Sequence, residues 1–110
     1  MLRRATGGIQ QLRHVVLFKF KDTATTSDIG KIEREFRALA TKKVPQVRGF
    51  ESGTHVGKES LNQGFTHGFL LTFDSEADRD IYMAHDDHKA FVNLQQGIVD
   101  KKIVLAFWGQ

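Results

Sequence analysis

The amino-acid sequence predicts an α+β fold of the ferredoxin-like class. It predicts a βαββαβ subunit with an antiparallel four-stranded sheet and helices on one side, which pairs into a dimeric α/β barrel. The chain has 110 residues, of which 40% are apolar, enough for one compact domain. Strand-like and helix-like patterns alternate in the order β-α-β-β-α-β. The first and last strand segments are apolar on both faces, which is unusual for a sheet covered on one side only.

The first strand and the first helix have clear signals. Residues 14–20, HVVLFKF, are β-branched and aromatic, as strands favour. A Thr/Ser/Asp cluster at residues 25–28 is suited to cap a helix. Apolar residues then recur at helical spacing, at Ile29, Ile32, Phe36, Leu39 and Ala40. The predicted helix reaches about Lys43, and Pro45 ends it.

The middle of the chain predicts two strands joined by a turn. Residues 48–57 form a weaker strand, and the sequence LNQGF around Gly64 is typical of a turn. Alternation from residue 65 onward assigns one face of the third strand to Phe65, His67, Phe69, Leu71 and Phe73. We expect this face to lie under the helices.

The last third predicts a second helical region and a closing strand. The Asp-Ser pair at 74–75 can open a helix, and acids in the following turn suit its positive end. We expect a helix to about Tyr82, a kink around residues 85–87 and a continuation to Gly97. Residues 102–108 form the closing strand.

The apolar character of the outer side of the sheet predicts a homodimer. Val15 and Leu17 alternate with Val16 and Phe18 in the first strand, so both faces are apolar. A bare apolar sheet face promotes aggregation, and we therefore expect two subunits to pack these faces together. The expected contacts are Val15, Leu17, Val104 and Trp108. The alternative is that the chain's own termini or a loop cover this face.

Composition and charge exclude several protein classes. Without cysteine there is no thiol catalysis, no thiolate metal site and no disulfide framework. The net charge of +3 comes from the first thirteen residues, so the rest lacks the basic face that nucleic-acid binding requires. No apolar run reaches the roughly 20 residues of a membrane span, and the opening MLRRATGGIQQL lacks the apolar core of a secretory signal. We expect a cytoplasmic domain at residues 13–110 after a flexible extension at residues 1–12, with no nucleic-acid or membrane partner.

Histidines are the candidate chemical residues. His14 begins the first strand, and His67 lies on the core-facing side of the third. His85 and His88 flank two aspartates, and Tyr82 precedes His85 by three residues. Each histidine can also be a core or capping residue whose hydrogen bonds are satisfied. The HDDH sequence gives only two histidine ligands, and its aspartates suit a helix cap equally well, so no metal site is predicted.

Together these segments resemble the stress-responsive α/β-barrel (Dabb) family. The resemblance is carried by HVVLFKFKD at 14–22, by GFTHGFLLTFDSEADRDIYMAHDDHKAF at 64–91 and by the short apolar closing strand. It covers residues 13–108. It implies a ferredoxin-like subunit that dimerises through its sheets. The family includes plant stress proteins without an assigned reaction and an enzyme that closes a linear polyketide by aldol chemistry.

The resemblance also implies a site between the helices and the sheet. Tyr82 and His88 are the implied catalytic pair, and His14 and His67 the implied polar anchors. The implied apolar lining is Val16, Phe18, Ile32, Phe36, Phe69, Phe91 and Leu105. Phe18 and Phe69 replace slimmer aliphatic residues of the polyketide-closing enzyme, so we expect a smaller space.

Two functions stay open at this point. The first is a homodimeric domain with a small His/Tyr-containing apolar pocket of unassigned biochemical role, which binds at most a small apolar ligand. The second is a cyclase- or lyase-type enzyme that needs no cofactor and acts on a small carbonyl or polyketide-like substrate. In it His88 is the general base and Tyr82 its partner, because an imidazole titrates near neutrality. Heme handling is a third option, for which no axial-ligand context stands out.

Overall fold

Eight segments of regular structure follow one another along residues 10–110, the part of the chain that the computed structural model describes. The strands are β1 (Leu12–Phe20), β2 (Gly49–Thr54), β3 (His67–Phe73) and β4 (Val99–Trp108). The helices are α1 (Thr26–Ala38), α2 (Glu76–Ala84) and α3 (Asp86–Leu94), and a π-helical turn at Leu39–Lys43 extends α1. The predicted βαββαβ order is confirmed, with the second helical region divided in two.

The four strands form one sheet in the order β2-β3-β1-β4, and all three neighbouring pairs are antiparallel. Residues directly opposite each other in such a sheet share a face. Val16 lies opposite Phe69 and Val104, whereas Leu17 lies opposite Gly68 and Ile103. We call the side with Val16 the helix-facing side and the side with Leu17 the outer face.

The core lies between the helix-facing side and the helices. It is built from buried apolar residues, the largest of which are Tyr82, Phe18, Phe36, Phe73, Ile32, Leu39, Leu71 and Val44. Phe36 of α1 lies at its centre, with ring centroids 4.5 Å from Phe69 and 4.7 Å from Phe91. The predicted apolar stripe of α1 is therefore confirmed, and so is the core face of β3 at Phe69, Leu71 and Phe73. Phe65 was also predicted on this face, but it lies in the loop before β3, and His67 at the start of the strand is only partly buried.

Side-chain caps fix where the helices begin. Thr25 and Asp28 form a reciprocal capping box at the start of α1, and the Ser75 hydroxyl accepts a hydrogen bond from the Asp78 backbone N–H at the start of α2. His85 has an extended backbone, with φ −67° and ψ 139°, which ends α2 and starts α3. Its Nδ1 accepts from the Asp87 N–H at 3.0 Å. The predicted kink is thus a helix break capped by a histidine.

Strand β4 is exposed along almost its whole length, because the helices cover β1 and β3 and leave this edge bare. The pairing corrects one expected lining residue. Leu105 lies opposite Val15, on the outer face, and is 49% exposed. It therefore does not line the space between helices and sheet.

The same pairing separates the four expected dimer contacts. Val15 and Leu17 lie on the outer face, but Val104 lies opposite Val16 and Trp108 lies opposite Leu12, both on the helix-facing side. The expectation that all four share one face is corrected. Alternation along β4 cannot decide this, because both of its sides are apolar.

None of the helices formed by residues 10–110 is long and apolar enough to cross a membrane. Most of the expected flexible extension, residues 1–9, lies outside the described residues. Leu12, the last residue of the expected extension at residues 1–12, is buried and begins β1.

Candidate ligand site at His14, Tyr82 and His88

Three elements bring His14, Tyr82 and His88 together. His14 lies on the helix-facing side of β1, Tyr82 in the last turn of α2 and His88 in the first turn of α3. The Tyr82 ring centroid is 6.1 Å from that of His14 and 4.7 Å from that of His88. Tyr82 therefore lies between the two imidazoles. The break at His85 permits this, since residues six apart on one straight helix point in different directions.

Phe73 of β3 forms the apolar side of this group of rings. Its ring meets His14 edge-on at 6.0 Å and lies 5.4 Å from Tyr82. Tyr82 is 1% exposed and His14 5%, whereas His88 is only partly buried. The cluster therefore reaches from the core to the surface, with His88 at its outer end.

Burial shifts the proton affinities of all three groups. It raises the pKa of the Tyr82 phenol, so this hydroxyl stays protonated. Burial, then the positive charge of Arg79 and then His88, lowers the pKa of His14. Burial is also the main cause that lowers the pKa of His88. A hydrogen bond to the Met83 backbone raises that pKa, and the charge of Lys102 lowers it. Both imidazoles are therefore neutral at pH 7.

One nitrogen of His14 has no visible partner. Its Nδ1 is buried and makes no hydrogen bond among residues 10–110. A buried polar atom without a partner costs about 1–3 kcal/mol. The neutral ring offers either a donor or an acceptor there, depending on its tautomer. A polar atom of a bound molecule would remove this cost.

His88 keeps one nitrogen available for proton transfer. A hydrogen bond that raises the pKa of an imidazole is one in which the ring donates, so the Met83 backbone takes one ring N–H. In the neutral ring the second nitrogen then carries a lone pair. His88 can therefore accept a proton from a bound molecule at neutral pH.

The structure does not bring His67 to this cluster. His14 lies opposite Leu71, four positions along β3 from His67, which is about 13 Å at the rise of a strand. His67 has partners of its own: its Nδ1 is 2.8 Å from the Thr66 hydroxyl, and its Nε2 is 3.7 Å from a Glu33 carboxylate oxygen. The expected four-residue constellation is thus a three-residue cluster with a separate histidine.

The other expected lining residues pack against one another. Val16, Phe18, Ile32, Phe36, Phe69 and Phe91 are all buried. Phe18 lies 5.2 Å from Phe69 between ring centroids, and Phe36 stacks with Phe18 at 6.1 Å. These side chains fill the interior beyond the cluster.

Two charged residues near the cluster were not singled out from the sequence. Arg79 precedes Tyr82 by one helical turn, and its charge reaches His14. Lys102 of β4 acts on His88 and donates a hydrogen bond to Gln95. The i, i+3 spacing of Arg79 and Tyr82 indicates in the sequence that the two side chains are neighbours on the helix. The position of Lys102 beside His88 depends on how β4 pairs in the sheet, so no local sequence pattern indicates it.

Among residues 10–110 no group of three or more His, Asp or Glu side chains is arranged to hold a metal ion. In the HDDH segment, His85 caps α3 through its Nδ1, and Asp86 and Asp87 lie in the first turn of that helix. These residues serve the helix start. The sequence suggests the two aspartates as the helix cap, whereas in the structure the cap is His85.

Comparison with known proteins identifies the family. Residues 12–108 match the family model described as the stress responsive A/B barrel domain, Dabb. The chain belongs to the Dabb family. This Dabb domain is 32% identical over 96 residues to the stress-response A/B barrel domain-containing protein HS1 of Arabidopsis thaliana. The aligned region covers 87% of this chain and 87% of HS1. It is 22% identical over 96 residues to olivetolic acid cyclase of Cannabis sativa, covering 87% of this chain and 94% of the cyclase.

Solved structures agree with the fold. The Dabb domain superposes on hydroxynitrile lyase from Passiflora edulis with a TM-score of 0.86 at 24% identity, covering 94% of this chain and 96% of the lyase. The crystal structure of a protein from Arabidopsis thaliana gives a TM-score of 0.84 at 30% identity, and the match covers 90% of this chain and 95% of that protein. A dimeric ferredoxin-like protein of unknown function from Thermobifida fusca gives a TM-score of 0.76 at 21% identity, and the match covers 90% of this chain and 91% of that protein. The ferredoxin-like prediction is therefore confirmed.

Proposed function

We propose that this Dabb domain is a homodimer that binds a small carbonyl compound at His14, Tyr82 and His88. The observation that carries the proposal is the buried His14 Nδ1, which lacks a partner among residues 10–110. A carbonyl or hydroxyl oxygen of a ligand satisfies this atom, and the Tyr82 and Phe73 rings provide an apolar contact. The packed phenylalanines beyond the cluster restrict the ligand to a small size.

The homodimer is supported by the apolar outer face and by relatives. Ile103, Leu105 and Phe107 are 39–49% exposed on one face, which favours burial against another surface. Two solved ferredoxin-like relatives are described as dimeric. The proposal includes the cytoplasmic location expected from the sequence, which subcellular fractionation would test.

A ligand titration tests the binding site. The protein is labelled with ¹³C in its histidine rings, and small aldehydes, ketones and hydroxynitriles are added during NMR. We expect the His14 and His88 signals to shift together, with those of His55 unchanged. His14→Phe should abolish the shift at His88, and His55→Gln, in an exposed loop, should preserve it. Binding that survives His14→Phe unchanged would refute the site.

A second candidate function is acid–base catalysis at the same cluster. It is favoured by the neutral, partly exposed His88 ring with one nitrogen free to accept a proton. In an aldol step, His88 removes a proton from the carbon beside a carbonyl, and the C–H electrons form an enolate whose oxygen accepts a hydrogen bond from Tyr82. The enolate carbon forms a bond to a second carbonyl carbon, and His88 returns the proton to the resulting alkoxide.

The same residues support cleavage of a hydroxynitrile. His88 accepts the hydroxyl proton, the oxygen electrons form the carbonyl, and the C–C bond electrons leave with cyanide, which takes the proton back from His88. Relatives named as a cyclase and as a lyase make both reactions worth assaying. Cyanide release from mandelonitrile and cyclisation of a short polyketone are the two assays. If either reaction is found, His88→Ala should abolish it, and unchanged turnover would refute the assignment.

A further inference from the structure

A lysine of the edge strand lies on the same side of the sheet as the helices. Lys102 of β4 is opposite Phe18 of β1, so it belongs to the helix-facing side. Its Nζ donates a hydrogen bond to Gln95 Oε1 at 3.1 Å. Gln95 follows α3 as its C-terminal cap and is 7% exposed. The ammonium group is therefore held in the gap between α3 and β4 instead of extending away from the protein.

Lys102 has no carboxylate partner in the part of the chain that the structure describes. Its hydrogen-bond partner there is the neutral amide of Gln95. The other cation near the cluster, Arg79, is already paired, with a Glu76 oxygen at 3.7 Å and an Asp80 oxygen at 2.9 Å. A positive charge without a counter-ion attracts anions. Lys102 is therefore the better placed of the two to bind an anionic group of a ligand.

The charge of Lys102 acts within the candidate ligand site. Burial is the main cause that lowers the pKa of His88, and the charge of Lys102 lowers it further. The same positive potential favours an anion bound near His88. His88 and Gln95 lie on one side of α3, two helical turns or about 10 Å apart. One molecule of moderate length can therefore reach both the imidazole and the ammonium group.

The surface of β4 between Lys102 and His14 is apolar and open. Val104 and Ala106 follow Lys102 on the helix-facing side, and Ala106 lies opposite His14. Both residues are exposed, because the helices leave this edge strand bare. They offer the apolar part of a ligand a surface that leads to the His14 Nδ1, the buried atom without a partner among residues 10–110.

A cavity beside Lys102 provides room for the anionic group. Its volume is about 210 Å³, and it lies between the end of α3 and the start of β4. It is lined by Val92, Gln95, Gln96, Val99, Asp100, Lys101 and Lys102. Asp100, the acidic residue of this lining, has the Lys19 ammonium group at 3.8 Å. The two lysines of the lining therefore give the cavity a positive potential.

We propose that the ligand of this site is a carbonyl compound that also carries a carboxylate, and that Lys102 binds the carboxylate. The carbonyl oxygen lies at the cluster of His14, Tyr82 and His88, and the apolar part of the ligand packs on Val104. This inference rests on the proposed function and deepens it by naming the class of ligand. Lys102 lies on the helix-facing side, so a homodimer formed through the outer face leaves it accessible.

Two probes of equal shape test whether the site recognises the charge. Para-acetylbenzoate and para-acetylbenzamide share an acetyl carbonyl, and the first has a carboxylate where the second has a neutral amide. Binding is measured by calorimetry and by the NMR signals of the His14 and His88 rings. We expect the wild type to bind the benzoate about 5- to 10-fold more tightly, as suits a partly exposed hydrogen bond between charged groups. Added salt should reduce this difference, because it screens the ion pair.

Variants of Lys102 assign the preference to this residue. In Lys102→Met the benzoate should bind no more tightly than the benzamide, whose Kd should stay as in the wild type, and Lys102→Arg should keep the preference. Lys58→Met is the matched control, because it removes the same charge from the exposed loop after β2, at the opposite edge of the sheet. It should bind both probes like the wild type. Lys102→Met should also raise the pKa of His88 in the free protein, which a purely structural role of Lys102 would not do.

The outcomes separate the class of ligand from the site itself. Equal affinity of the wild type for both probes, with shifts at His14 and His88, would overturn carboxylate recognition and leave the carbonyl site standing. If neither the probes nor simple aldehydes and ketones shift these signals, the proposed function fails and this inference fails with it. A preference that survives Lys102→Met would assign the carboxylate to another cation and overturn the role of Lys102. Benzoate that binds as tightly as para-acetylbenzoate would show an anion site unrelated to the carbonyl and would also overturn the proposal.

Discussion

The Tyr82 ring lies 4.7 Å from the His88 ring, although a break in the helix separates the two residues. The extended backbone of His85 changes the direction of the chain at this point. The consequence is that a phenol held protonated by burial meets an imidazole held neutral by burial. Such a pair can donate a hydrogen bond to one atom of a ligand and accept a proton from another.

The Tyr82→Phe variant measures the contribution of the Tyr82 hydroxyl to ligand binding, because it removes the hydroxyl and keeps the aromatic ring. Because Tyr82 is 1% exposed and packs on Phe73 and His88, the phenylalanine should preserve the fold. Loss of a ligand hydrogen bond should weaken binding of a carbonyl compound about 5- to 10-fold, as expected for roughly 1 kcal/mol. NMR titration measures this effect. The control is Phe65→Leu, remote from the cluster in the β2–β3 loop, which should bind normally.

Stability should fall as the pH drops below about 6.5. The pKa values of His14 and His88 are lowered in the folded state from the ordinary 6.5. The unfolded chain therefore takes up protons first, and each proton bound there favours unfolding. The stabilising contribution is complete above the unfolded pKa and is lost as the pH falls through the folded values.

Urea unfolding between pH 5 and pH 8 measures this dependence. His14→Phe should reduce the slope of the free energy of unfolding between pH 6.5 and pH 5 relative to the wild type. An identical slope in His14→Phe would show that His14 does not titrate differently in the folded and unfolded chains.

His85 should be replaceable only by residues that cap a helix. His85→Ala removes the acceptor of the Asp87 N–H, and loss of such a cap lowers the free energy of unfolding by about 0.5–2 kcal/mol. His85→Asn should retain most of the free energy of unfolding that the cap contributes, because asparagine is a good N-cap residue. Ligand binding at His88 should follow the same order, since the cap sets the start of α3. Equal stability of both variants would contradict this role.

Phe36 should be among the residues most sensitive to truncation. It is 1% exposed and its ring lies within 4.7 Å of both Phe69 and Phe91. Phe36→Ala should lower the free energy of unfolding by about 3–5 kcal/mol, measured with urea. Leu61→Ala, at 74% exposure, should change it by less than about 0.5 kcal/mol. A small loss at Phe36 would mean that the interior is loosely packed and has room for a larger ligand.

Local patterns in the sequence determined the order of the elements and most of their bounds. The Thr25 and Ser75 caps, the stripe of Ile32 and Phe36 and the alternation in β3 each depend on neighbours within a few residues. Such signals are readable because helix and strand periods place near neighbours in sequence on one face. The Dabb resemblance likewise pointed to Tyr82 and His88.

The tertiary structure alone decided which of these residues meet. Both sides of β4 are apolar, so only its pairing with β1 places Leu105 on the outer face and Val104 on the helix-facing side. The resemblance grouped His67 with His14, but strand register sets them about 13 Å apart. The solvent exclusion that shifts the pKa values of His14 and Tyr82 comes from side chains distant in sequence. Contacts and burial of this kind depend on how strands pair and helices pack, and no local pattern encodes them.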